Sequence, residues 1–274
     1  MRQLRIEKKN SLFQVLYALK TNRSKRSELN ELFIEGTAGI KAAAQGKKRF
    51  RRFVFRDYNT LSDWARGLIE DRPEAQSISL KHALYEELSD KEEPSELIAT
   101  VEKETLLIDE ARLSEGPLVL VLDRPSNHGN LGAMVRSANA FGVELIIILG
   151  HGVDPFDPAV IRASRGSVFH TPICQEPSHA SFVAWLARLR TGYPDTVVLG
   201  TDSRAERVLS GSSRFARPAV VLMGNESKGL SVRLREAVDE MVSIPMQGQV
   251  DSLNVACAAS IILFELSNQA PTET

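Results

Sequence analysis

Cysteine is nearly absent: Cys174 and Cys257 are the only two in 274 residues, and they form no recognisable metal or disulfide pattern. Nothing here needs an oxidising compartment, so both thiols read as small apolar packing residues. The five histidines (82, 128, 151, 170 and 179) have no metal-ligand spacing, so no metal is expected. Only His128 falls inside a motif. Long apolar runs are missing too. LIIILG at 145–150 is far too short to span a bilayer. The stretch from Leu12 to Leu19 is short and lacks a small-residue cleavage site. No membrane partner and a cytoplasmic location are expected. There is also no GxxxxGK(S/T) loop, no GxGxxG after a strand and no GxSxG elbow. These absences argue against a nucleotide-dependent enzyme on an ordinary doubly wound fold and against a serine hydrolase.

Net charge is almost nil, at -1, but it is unevenly spread. Residues 1–56 carry 15 Lys/Arg against 4 Asp/Glu, whereas residues 57–115 carry 6 against 16. A positive block on a neutral chain suggests a polyanion such as nucleic acid. Two clusters concentrate it. KTNRSKR (20–26) holds Arg23, Lys25 and Arg26, and KKRFRRFVFR (47–56) holds Lys47, Lys48, Arg49, Arg51 and Arg52. These eight side chains are the candidate RNA contacts. The interleaved Phe53 and Phe55 are expected to alternate inward from a strand while the arginines face water.

ARLSEGP (111–117) reads as a linker, which divides the chain into domains of 1–110 and 117–270. Beyond it, short continuous apolar runs appear at 117–123, 143–149, 196–202, 219–224 and 241–245. Helical patterns at 130–141, 158–164, 178–191, 231–238 and 252–268 separate them. Runs of this kind predict an α/β domain whose parallel sheet is buried on both faces.

Ligands in such sheets gather beyond the carboxyl ends of strands, and three of those ends carry unusual residues. In NHGNLGAMVRSANAFG (127–142), Leu131, Met134, Val135, Ala138 and Phe141 form a buried stripe. Gly129, Gly132, Ala133 and Ala140 surround Arg136 on another face, where a guanidinium suits phosphate. Asn127 or Asn130 can cap the helix. In MGNESKGLS (223–231), Gly224 permits close approach, Glu226 is either a ligand acceptor or a structural carboxylate, and Ser231 is the expected cap of the next helix. In SIPMQGQVDSLNVACAASIILFEL (243–266), Ser252 is the expected N-cap of an apolar helix, with polar Asn254 in its first turn.

In order, spacing and identity, these segments resemble the three motifs of the SpoU-type (TrmH-type) RNA ribose 2′-O-methyltransferases of the SPOUT superfamily. They read N-x-G-N-x-G-A-x-x-R, G-N-E-x-x-G-L-S and I-P-M-x-G-x-x-x-S-L-N-V-A. His128 stands where proline is common. LFIEGTAGIKAAA (32–44) more weakly resembles the family's smaller L30e-like α/β domain. The resemblance implies a C-terminal parallel-sheet α/β domain with a deep trefoil knot, preceded by that L30e-like domain. It further implies a homodimer with each active site completed near the subunit interface, and S-adenosyl-L-methionine as methyl donor. Matching positions give Thr201, Gly224, Ile244, Met246, Ser252 and Leu253 for the cofactor. Arg136, Asn130, Glu226, Ser252 and Asn254 are implied for catalysis, with Arg136 either the base or a positioning cation. Structured RNA is the implied substrate, either ribosomal or transfer RNA, and the separate substrate domain favours ribosomal RNA. The alternative is a catalytically inactive RNA-binding relative, against which the joint presence of Arg136, Glu226 and Asn254 argues.

Overall fold

The computed structural model describes residues 3–209 and 218–267, so the expected ends of the last helix at 268 and of the second domain at 270 lie outside the described residues. Two compact units emerge. One comprises the residues up to Glu104 together with Phe156–His170; the other comprises Thr105–Pro155 and the residues from Thr171 onward.

The first unit contains β1 (Gln3–Ile6), α1 (Ser11–Thr21), α2 (Arg23–Glu28), β2 (Glu31–Glu35) and α3 (Thr37–Gln45). It continues with β3 (Phe50–Phe55), α4 (Asp63–Glu70), β4 (Gln76–Leu80), α5 (His82–Leu88) and β5 (Ile98–Glu102). The sheet order is β1-β4-β3-β5-β2. β3 is central, parallel to β4 and antiparallel to β5. Phe53 and Phe55 are buried as expected, with Arg51 exposed between them and Phe50. Val54 is buried as well, because the central placement of β3 covers both sheet faces. The register with β5 shifts between Phe50 and Arg52, leaving Arg51 as the extra residue of a bulge.

The second unit contains β6 (Leu118–Asp123), α6 (His128–Ala140) and β7 (Leu145–Leu149). The chain then contributes α7 (Pro158–Ala163) to the first unit before returning as β8 (Ile173–Glu176), α8 (His179–Gly192) and β9 (Val197–Thr201). The remaining elements are β10 (Arg207–Val208), β11 (Ala219–Met223), α9 (Val232–Glu236), β12 (Glu240–Ser243) and α10 (Val255–Ser267). All seven strands are parallel, in the order β10-β12-β9-β11-β6-β7-β8. β6, β7 and β11 are buried along their whole length, as continuous Val/Ile/Leu runs require. β8 and β10 were not anticipated: ICQE is half apolar, and the two residues of β10 are both exposed.

The helix 158–164, expected in the second domain, packs in the first unit for two reasons. Asp157 caps α7 at Ala159 N and accepts from Arg26 Nη2 at 3.0 Å. Gly166 then seats against α3, where a Cβ would fall 2.4 Å from the Cβ of Ala42.

Candidate active site

The carboxyl ends of β9, β11 and β12 converge on a cavity of about 450 Å³ in the second unit. Its walls include Thr201, Gly224, Ile244, Met246, Ser252 and Leu253, the six positions expected to hold the cofactor. Asn130, Glu226 and Asn254 line it as well.

Local conformation at the tip of β11 follows from two glycines. A Cβ on Gly224 would sit 2.4 Å from the carbonyl carbon of Gly229, so the chain can double back only with glycine there. Gly229 adopts φ +63, which suits a residue without a Cβ. Asn225 and Gly229 exchange backbone hydrogen bonds at 3.1 and 2.9 Å, closing the turn. The Asn225 amide donates to Arg124 O at 2.8 Å, and its Oδ1 accepts from Ser227 N and Lys228 N, both at 3.1 Å. The turn is thereby fixed to the end of β6, and Glu226 is aimed at α6.

Glu226 links the segments. Its Oε2 accepts from Ser126 Oγ at 2.7 Å and from Ser126 N at 3.3 Å, and its Oε1 accepts from Asn130 Nδ2 at 3.3 Å. Asn130 Oδ1 in turn accepts from Asn254 Nδ2 at 2.9 Å. One chain of side-chain hydrogen bonds thus runs from Ser126 through Glu226 and Asn130 to Asn254. Burial pushes the Glu226 carboxyl up, but the hydrogen bonds from Ser126, its own backbone and Asn130 outweigh it and hold the group below its ordinary range.

One expected cap is reassigned, and another holds its position without the capping bond. Asn254, not Ser252, caps α10: its Oδ1 accepts from Ala256 N at 2.8 Å, and the helix begins at Val255. Ser231 precedes α9 without a capping side-chain bond. Its N–H donates instead to Asp123 Oδ2 at 2.8 Å, and its buried Oγ has no partner among the described residues. Asn127 is the cap of α6, accepting from Asn130 N at 2.9 Å, which frees the Asn130 side chain for the cavity.

Arg136 is not a wall residue of this cavity. It is exposed on α6, six residues past Asn130, which is about 9 Å along the axis and roughly 120° around it. It makes no side-chain hydrogen bond or ion pair among the described residues. His128 is exposed and lies outside the cavity wall.

Sequence reading missed the support beneath the site. Asp123, whose side chain is fully buried, accepts from Arg124 Nε at 2.8 Å and Nη2 at 2.9 Å, and lies 3.1 Å from His179 Nε2. Burial raises its carboxyl, yet the Arg124, His179 and Ser231 hydrogen bonds bring it below the ordinary value. The available signal was an acid ending the apolar run LVLVLD. Asp202, also missed, lines the cavity and pairs with Arg235 Nη2 at 2.8 Å. That hydrogen bond, with one from Arg204 N, lowers its carboxyl.

The candidate RNA contacts divide. Arg26 is only 2% exposed, and its guanidinium donates to Leu19 O, Lys20 O and Asp157, so it is a structural residue rather than a surface cation. Arg52 is half-buried and bonded to Glu31. Lys48 meets Glu104 at 2.6 Å, and Arg49 and Arg51 meet Glu102 at 3.6 and 3.4 Å. Lys25 pairs with Glu28 at 2.8 Å. Arg23 and Lys47 are exposed. The acidic block that follows in sequence folds beside the basic one, so much of the positive excess is neutralised in space.

Among the described residues, no group of histidine, cysteine and acidic side chains could hold a metal, and no helix is long and apolar enough to cross a membrane.

A ligand cleft at the carboxyl ends of parallel strands, closed by carboxamides and a carboxylate from three distant segments, defines a small-molecule-binding α/β enzyme domain. The chain belongs to the SpoU rRNA methylase family, whose profile matches residues 117–264; the SpoU L30e-like domain matches residues 10–99. It is 35% identical over 266 residues to a 23S rRNA (uridine(2479)-2′-O)-methyltransferase of Streptomyces viridochromogenes, covering 97% of this chain and 92% of that one. It is 25% identical to the 23S rRNA (guanosine(2553)-2′-O)-methyltransferase RlmP of Bacillus subtilis, covering 89% and 91%. The crystal structure of the SpoU methyltransferase AviRb from Streptomyces viridochromogenes, in complex with AdoMet, superposes with a TM-score of 0.87 at 35% identity, covering 94% and 97%.

Proposed function

We propose that this protein transfers a methyl group from S-adenosyl-L-methionine to a ribose 2′-hydroxyl of ribosomal RNA. The observation that carries this reading is the hydrogen-bonded chain Ser126–Glu226–Asn130–Asn254, which draws the three motif segments around one cavity.

The cavity fits the cofactor on its own terms. Its volume of about 450 Å³ is within the usual range for ligand sites. Apolar Ile244, Met246 and Leu253 offer a surface for a purine, and the glycine-tight turn at Gly224 exposes main chain. Glu226 and Asp202, both held ionised at neutral pH, favour a cationic ligand. When bound, S-adenosylmethionine supplies a sulfonium-activated methyl group, so no metal is needed. Glu226 keeps the Asn130 amide turned towards it, and Asn254 and Ser252 hold the mouth of the cavity. A guanidinium keeps its proton at any pH the protein meets. The role assigned to Arg136 is therefore to place the RNA phosphate and hydroxyl, an effect worth several kcal/mol when alignment is good.

Arg136 lies outside its own protomer's cavity wall, and α10 offers a reason. Ile261 and Phe264 are 37% and 49% exposed, Cys257 is exposed beside them, and Phe264 packs edge-on against Phe141 of α6. An apolar stripe shared by two helices suits burial against a second copy. We assign a homodimer in which Arg136 works beside that interface. Residues 117–270 carry the chemistry, with the knotted chain path of the family; residues 1–110 bind RNA; and the two free thiols suit the cytoplasm.

The test is methyl transfer from labelled S-adenosylmethionine to deproteinised bacterial 23S rRNA, with the modified ribose mapped. Transfer to a ribose that Arg136→Ala abolishes supports the reading. Cofactor binding without transfer to any RNA supports an inactive RNA-binding relative, and near-normal turnover of the variant removes Arg136 from the site.

A further inference from the structure

Four non-glycine residues among those described have positive φ: Asn30, Lys47, Arg124 and Arg165. Arg124 is held there by its two bonds to Asp123. Lys47 and Arg165 have no such explanation, and their settings match. Lys47, at φ 53, follows the last residue of α3's cap, and Lys48 N donates back to Ala43 O at 2.9 Å. Arg165, at φ 51, follows the cap of α7, and Gly166 N donates back to Ile161 O at 2.9 Å. Both therefore occupy the left-handed position that closes a helix, where glycine is the usual choice because a Cβ is strained there.

The two helix ends belong to one seam of the first unit. A Cβ on Gly46 would fall 2.7 Å from Phe169 O, and one on Gly166 would fall 2.4 Å from the Ala42 Cβ. Lys47 and Arg165 adjoin these two contacts. Both are exposed, as is Arg162 one turn earlier on α7. None of the three makes an ion pair among the described residues, whereas Lys48, Arg49, Arg51 and Arg52 all face Glu31, Glu102 or Glu104. A residue kept charged at a strained position, and left uncompensated, is suited to an external anion.

We propose that Lys47, Arg162 and Arg165 form the phosphate-gripping edge of the first unit, contacting the backbone of ribosomal RNA. The proposal rests on the rRNA methyl-transfer reading and locates its RNA contact away from the Arg49–Arg52 run. The competing account is local: a cation at a helix C-terminus complements the helix dipole.

The left-handed backbone supplies an unusually clean experiment. Lys47→Gly and Arg165→Gly remove charge while favouring the native φ, so the fold is preserved. Asparagine at the same two positions, also tolerant of that conformation, is the second variant pair. Binding to deproteinised bacterial 23S rRNA is measured across a salt series, alongside thermal midpoint and S-adenosylmethionine affinity. Each single variant is expected to weaken RNA binding about three- to tenfold and to flatten the salt slope by about 1, with additive loss in the double variant. Thermal midpoint and cofactor affinity should stay unchanged or rise. Unaltered RNA affinity and slope in the double variant would overturn the proposal while leaving the methyl-transfer reading intact. Weakened binding with a matching fall in thermal midpoint overturns it in favour of the helix-end account. Absence of 23S rRNA binding by the unaltered protein overturns both.

Discussion

Asn254 donates its side-chain amide to Asn130 Oδ1 at 2.9 Å across 124 positions of sequence, while its own Oδ1 caps α10 through Ala256 N. One residue thereby closes the cavity and starts the helix behind it. Asn254→Ala removes both bonds. We expect a loss of about 1 kcal/mol from the cap and a fall in methyl transfer well beyond what that loss explains. Asn254→Asp keeps an acceptor for the cap but cannot donate to Asn130. It should recover most of the thermal midpoint without recovering turnover. Equal recovery of both would mean that the Asn130 bond is dispensable.

Glu226 makes the site sensitive to acid. Its folded value lies below its ordinary 4.5, so its contribution to stability is fully present above that value and is lost as pH falls through the lower folded one. Thermal midpoints of the unaltered protein and Glu226→Gln should differ at neutral pH and converge as pH drops below 4.5. A difference that stays constant through that range would show that the carboxylate form is not what the Ser126 and Asn130 bonds favour.

Beneath the cavity, Asp123 is the acceptor for Arg124, His179 and Ser231 N. Asp123→Ala strands a guanidinium and an N–H around a buried void, and removing one partner of a buried pair typically costs about 3 kcal/mol or more. Arg124 O anchors Asn225, so the turn carrying Glu226 should loosen as well. The expected result is a lower denaturation midpoint together with weakened S-adenosylmethionine binding at a temperature where the variant is folded. Lowered stability with unchanged cofactor affinity would confine Asp123 to the core.

The parallel sheet was legible because strands covered on both faces must be apolar throughout, and β6, β7 and β11 are. The cavity was legible because its walls come from short contiguous motifs. β8 and β10 were not, since four residues with two polar ones, or two exposed ones, carry no periodicity. Nor was the Asp123–His179 contact, which joins residues 56 apart with no shared pattern. Cations were the hardest to sort. In KTNRSKR nothing distinguishes Arg26 from Arg23; only the fold shows that Leu19 O, Lys20 O and Asp157 accept from Arg26. Charge counted along the chain overstated the basic block, because Glu102 at the end of β5 and Glu104 just after it, both outside that block in sequence, pair with Arg49, Arg51 and Lys48.

Arg26 therefore offers a direct check on that correction. Arg26→Ala removes a buried guanidinium that donates to Asp157, Leu19 O and Lys20 O. A stability loss of about 3 kcal/mol is expected, with no change in the salt dependence of RNA binding once the variant is folded. A flattened salt slope at undiminished stability would return Arg26 to the RNA surface.

The assigned dimer is tested at Phe264, which is 49% exposed while touching Phe141 of α6. Phe264→Glu places a charge in the middle of the apolar stripe formed with Ile261. Burying that unpaired charge against a second copy would cost several kcal/mol, whereas leaving it in water costs little. Light scattering should show a dimer for the unaltered protein and a monomer for the variant. Because the cavity is built within one protomer, S-adenosylmethionine affinity should be largely retained. Methyl transfer should fall sharply, because Arg136 is assigned to work beside the interface. A variant that stays dimeric, or a monomer that methylates normally, would separate Arg136 from the interface and require another placement for its guanidinium.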